Sequence, residues 1–200
     1  TEVTAPPRGV ILQGSGPDVT RIQGPLLVEV PETMIAELSI HGGSPGLHIK
    51  ASTTVEQVSI ENAHGTGVRI TADLVANNLS VVGTKMDDNE RRFEGVTPSD
   101  GAGVWVEKSG RITWDSGLVI DSAWTSIRVE GYGRIDGVRI QDGGGVGIAV
   151  VAGEVVLTKL AVQRASGAGV LVAEGSFTAT DMSVGDILET DIVALRAGVA

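Results

Sequence analysis

Three residues of unlike chemistry, Arg69, Trp105 and Arg128, each sit between two aliphatic residues, in the triplets Val-Arg-Ile, Val-Trp-Val and Ile-Arg-Val. An indole offers a sugar ring a flat apolar face, and a guanidinium binds a uronate carboxylate through two parallel hydrogen bonds. Side by side they would form a platform for an acidic polysaccharide. His48 holds the same place in Leu-His-Ile, and Glu107 and Glu130 lie two residues beyond Trp105 and Arg128. The acids allow a second arrangement, in which Arg stacks on Trp as a cation–π contact and Glu107 or Glu130 neutralises it. His48, Arg69, Trp105, Glu107, Arg128 and Glu130 are therefore the candidate ligand contacts.

Other chemical signals are thinner. Asp87 and Asp88 are adjacent, whereas the paired carboxylates of glycosidases stand about 5 to 10 Å apart across the scissile bond. A calcium site needs several carboxylates on one ion, and proton abstraction needs a base beside it. Asp87, Asp88, Glu90, Glu107 and Glu130 follow no such spacing. His64 reads as a turn residue in a Gly-rich bend, and the recurring Gly-x-Gly pairs read as tight bends rather than a phosphate loop. No catalytic residue, metal ligand or cofactor is assigned.

The triplets belong to a repeat. Apolar-x-apolar recurs at Leu47/Ile49, Val68/Ile70, Val104/Val106, Ile127/Val129, Ile148/Val150, Val170/Val172 and Ile192/Ala194. A second apolar position follows at Val55, Ala76, Ile112, Ile135, Val156 and Phe177. A third strand reads Leu38/Ile40, Val58/Ile60, Leu79/Val81, Leu118/Ile120, Val138/Ile140, Leu160/Val162 and Met182/Val184. Period-two alternation, rich in Val and Ile and bounded by Gly, Ser, Asn or Asp, marks short half-buried strands. Three such strands per roughly 21-residue coil bury nothing alone, but stacked coils pair each strand with its copy. The expected fold is all-β: a right-handed parallel β-helix of three sheets and seven or more coils, in one domain over residues 1–200. Trp114 and Trp124 are expected to pack, and Ser39, Ser59 and Ser80 to stack outward. Residues 1–24 read as an irregular first coil with Val10, Leu12, Val19 and Ile22 inward. Residues 192–200 read as an incomplete last coil, as in a fragment of a longer chain.

The spacing between Val68 and Val104 is longer than the others, and an insertion at residues 83–101, GTKMDDNERRFEGVTPSDG, accounts for it. Its charge makes it a surface loop, and in solenoids such loops often border the binding face. Beyond Arg128 the outward rows turn apolar, at Ala149, Val151, Leu171, Ala173, Val193 and Leu195. A contiguous patch of that kind is expected to be covered by a second copy or an adjoining domain. The net charge of −10 opposes binding to nucleic acid, no stretch approaches a membrane span, and the lack of Cys leaves the compartment open.

The unit VGIAVVAGEVVLTKLAVQRASGAGVLVAEGSFTATDMSV resembles the repeats of right-handed parallel β-helix proteins of the pectin-lyase-like superfamily. More narrowly it is similar to the repeat arrays of large bacterial envelope proteins, myxobacterial ones in particular. The resemblance covers about residues 25 to 197 and rests on coil pattern. It implies a bacterial envelope or extracellular location, and a substrate groove beside the first sheet in those members that are enzymes. Because one fold carries many activities, three functions stay open: a non-catalytic surface scaffold with glycan contact, a polysaccharide lyase or hydrolase, and a self-assembly module. Only the lyase reading would call for Ca2+.

Overall fold

The computed structural model describes residues 9–86, 101–188 and 190–199, the last of these by backbone alone. They form a right-handed parallel β-helix of about seven turns, about 22 residues apart, and the described residues contain no helix. The chain enters through β1 (Ile11–Gln13), β2 (Arg21–Gln23), β3 (Leu26–Val28) and β4 (Thr33–His41). From there the turns share one plan. A three-residue strand, as in β5 (Leu47–Ile49), is followed by a long one, β6 (Thr53–Glu61). The plan recurs in β7 (Val68–Ile70) with β8 (Asp73–Val82), β9 (Val104–Val106) with β10 (Arg111–Ile120), and β11 (Ile127–Val129) with β12 (Tyr132–Gln141). After β13 (Ile148–Val150) the long strand is split into β14 (Glu154–Thr158) and β15 (Ala161–Gln163). Then β16 (Ala168–Thr180) fuses a first strand to the next, β17 (Ser183–Gly185) follows, and β18 (Thr190–Val199) stacks on β16.

The second and third strands expected from the repeat are thus one strand with a bend. At the bend a single residue takes a left-handed backbone: Gln57 (φ 52°), Asn78 (φ 54°), Ser116 (φ 60°) and Gly137 (φ 63°), continued by Lys159 and Asp181. This residue adds one position between inward side chains. Inward residues are two apart within each half, as in Val58 and Ile60, but three apart across the bend, as in Val55 and Val58. The inward rows are almost wholly aliphatic: Leu47, Ile49, Val68, Ile70, Val104, Val106, Ile127, Val129, Ile148 and Val150 are fully enclosed. Each such side chain contributes about 1.5–3 kcal/mol on burial. The parallel ladder between coils satisfies the backbone groups that this burial takes from water.

Four expectations are corrected. Leu118 and Ile120 do not face the core: Gly117 pairs with Leu79 and Val119 with Val81, so Gly117 and Val119 hold the inward places. A Cβ at Gly117 would stand 2.5 Å from Trp114 Nε1, so the missing side chain makes room for the buried indole. Val156 is likewise outward, since Val155 and Leu157 are the enclosed pair in β14. Ile112 and Phe177 are inward, but they stack in the row of Leu74 and Val155, while Val55 and Ala76 stack with Trp114, Ile135 and Leu157. In the first coil Leu12 and Ile22 pack against the core, whereas Val10 is 46% and Val19 73% exposed. Val10 lines an open apolar recess with Leu12 and Leu26, and Val19 sits in a turn. Ser39, Ser59 and Ser80 stack as expected.

Candidate functional site

The parallel register of the three-residue strands places His48 beside Arg69, Arg69 beside Trp105, Trp105 beside Arg128, and Arg128 beside Ala149. In the strands of His48, Arg69, Trp105 and Arg128 the two flanking aliphatics are buried and the middle side chain emerges, which is why unlike side chains form one row. Their geometry is that of a cluster that satisfies itself. The Arg69 guanidinium lies over the Trp105 ring, 4.8 Å from its centroid, and Arg69 Nε donates to Glu107 Oε1. Trp105 Nε1 donates to Glu130 Oε1 at 3.2 Å. Arg128 reaches the same oxygen through Nε at 2.9 Å and Nη2 at 2.7 Å. Three donors therefore converge on one carboxylate oxygen.

The two ion pairs differ in shelter. The Arg128 and Glu130 side chains are 13% and 14% exposed, against 37% and 24% for Arg69 and Glu107. Arg69 is the more exposed member. One face of Trp105 carries its guanidinium, so a sugar ring would stack on the other face or displace Arg69. His48, at the end of the row, has Nε2 enclosed with no hydrogen-bond partner among the described residues. Desolvation lowers its pKa, Arg69 and Lys50 lower it further, and Glu107 and Glu29 partly oppose them. Lys50 is held by Glu29 at 3.1 Å.

The insertion is described only at its ends. Thr84 is buried and donates to the Gly101 carbonyl at 3.2 Å, and Lys85 pairs with His64 in an isolated parallel bridge. His64 is exposed and held in that bridge, not in the turn expected of it. Asp87, Asp88 and Glu90 lie outside the described residues, and so does most of the 83–101 insertion. No group of three or more His, Cys, Asp or Glu is placed to hold a metal ion among the described residues.

No protein-family model matches the chain, and no curated protein sequence does. The geometry therefore stands by itself.

The apolar end of the row continues the same register. Ala149 occupies an outward position between Arg128 and Leu171 yet is only 4% exposed, because its methyl is short beside its neighbours in the row. Val151, Leu171 and Ala173 are half-buried. The register sets Val193 beside Leu171, and the side chains of Val193 and Leu195 lie outside the described residues. Trp124 is 41% exposed and Trp114 is core, with Nε1 bonded to the Ser116 carbonyl at 3.0 Å.

A second concavity went unassigned in the sequence. It lies on the outward side of the long strands, around Gly117, Gly137, Arg139 and Lys159. Reading Leu118 as inward breaks the outward row from Ser80 to Arg139, and Gly137 at the bend is the signal of open space there.

Proposed function

We propose that the chain is a non-catalytic segment of a bacterial surface or envelope β-helix protein, a rigid scaffold that contacts glycan along the row of Arg69, Trp105 and Arg128. One observation carries this reading. Arg69, Glu107, Trp105, Arg128 and Glu130 bind one another, which favours a fixed recognition surface over an acid–base pair. An aromatic face with a displaceable, half-exposed guanidinium suits reversible contact with an acidic sugar. The pectin-lyase-like resemblance of the repeats supports the architecture, and its bacterial members support the location.

A glycan array paired with turnover assays on acidic polysaccharides tests the proposal. Binding without turnover, weakened several-fold in both Trp105→Ala and Arg128→Ala with the circular dichroism unchanged, is the expected result. Turnover that disappears in Glu130→Gln would replace it with the lyase or hydrolase reading. Affinity unchanged in both variants would remove this row as a ligand site.

A further inference from the structure

Asn78, Ser80, Gly117, Gly137, Arg139 and Lys159 line a groove of ≈ 330 Å³ on the outward side of the long strands. Two stacked rows build it. Ser80, Leu118, Arg139 and Ala161 follow one another on successive coils. Beside them run the left-handed bend residues Asn78, Ser116, Gly137 and Lys159. Gly137 is the one place in that stretch where the bend carries no side chain, and the nearest atom to a Cβ built there is Ser116 Oγ at 3.7 Å. At Gly137 the floor is therefore open backbone, bordered by Leu118 and Ala161.

The walls carry unspent charge. Arg69, Arg128 and Arg164 are each bonded to a carboxylate. Arg139 and Lys159 have no ion pair or side-chain hydrogen bond among the described residues, and the side chains of Asn78 and Ser80 have none either. Both are exposed, as the unpaired Lys108 and Arg134 are, but only Arg139 and Lys159 border this groove from adjacent coils. Asp181 follows Lys159 in the bend row without pairing with it.

We propose that this groove binds a phosphomonoester, with Arg139 and Lys159 on adjacent coils neutralising its two charges and Asn78 and Ser80 donating to its remaining oxygens. Charge and shape select that group. A phosphomonoester carries about −1.5 to −2 at pH 7 and three strong acceptor oxygens. The guanidinium fork takes two oxygens and the ammonium a third as a point charge. A carboxylate or a sulfate ester has a single charge and leaves one cation uncompensated. The open glycine floor admits the phosphate and the first atoms of whatever it is attached to. This site is separate from the row proposed to contact glycan, so either can fail without the other.

The test is a nuclear magnetic resonance titration of the chain at low ionic strength. Inorganic phosphate, a hexose 6-phosphate, a hexose 6-sulfate ester and galacturonate are the probes, and the amides of Gly117 and Gly137 are the reporters. Phosphate should shift both glycines and bind more tightly than the sulfate ester or galacturonate. Arg139→Gln and Lys159→Gln should each weaken binding about tenfold. Asp181→Asn should strengthen it. Affinity should fall as pH drops from 7.5 to 5, because the second phosphate pKa is about 6. A hexose phosphate that binds more tightly than inorganic phosphate identifies a sugar phosphate as the ligand class, and equal affinity identifies the free anion. The sulfate ester or galacturonate binding as tightly as phosphate, phosphate binding that both glutamine variants leave unchanged, or no shift at either glycine overturns the proposal.

Discussion

Replacing Val119 and Leu118 in turn by Ala asks which of two adjacent residues faces the core of β10. Val119 is fully enclosed and stacks against Val81 and Ile140, whereas Leu118 is half-buried in the outward row. Val119→Ala removes two methyl groups, worth about 1.6 kcal/mol at roughly 0.8 kcal/mol each. The coils on both sides are fixed by their own ladders, so the site collapses little, and the cavity brings the loss to about 2–3 kcal/mol. Leu118→Ala removes more atoms but from a half-solvated place, and should cost about 1 kcal/mol or less. Urea unfolding followed by circular dichroism measures both, and the m-value needs checking because solenoids can unravel coil by coil. A larger loss for Leu118→Ala than for Val119→Ala would mean that the chain bends one residue later and that Gly117 is not an inward position.

The pH dependence of stability should show His48. Its folded pKa lies below 6.5, so the unfolded chain takes up a proton there that the folded chain refuses. Stability is then full above pH 6.5 and falls as the solution is acidified through that value. His48→Gln should flatten this fall, and identical urea midpoints against pH in both proteins would refute the assignment. Ser126 is wholly enclosed, and its Oγ finds no partner among the described residues. An unsatisfied buried hydroxyl costs about 1–3 kcal/mol, so Ser126→Ala should raise stability by about 1 kcal/mol in thermal or urea unfolding. A loss of stability would show that the hydroxyl is engaged.

The fold was legible because the three-residue strands announce themselves: Val-Arg-Ile or Val-Trp-Val alternates cleanly, and recurrence fixes the register of one coil on the next. The long strands were harder to phase. The left-handed residue shifts the alternation by one, and β10 hides the shift by putting Gly117 where other coils have Leu79 or Val138 and filling the space with Trp114. In β14 the run Val155-Val156-Leu157 has no alternation to read. The candidate row was legible as a row, since Trp105, Glu107, Arg128 and Glu130 have outward parity. Its internal pairing was not, because Glu130 serves both Trp105 and Arg128 through side-chain rotamers that no spacing encodes. The groove at Arg139 was missed through the same phase error that misplaced Leu118.

The stacking of one coil on the next sets how the molecule responds to force. Its strands run across the long axis, so the hydrogen bonds between coils lie along it. Tension between the two ends meets those bonds one coil at a time, as in a zipper, instead of shearing a whole ladder at once. Each released coil frees about 22 residues, which at about 3.3–3.6 Å per residue yield roughly 75 Å of slack. A solenoid made this way would be stiff under small loads and would release length in steps under large ones.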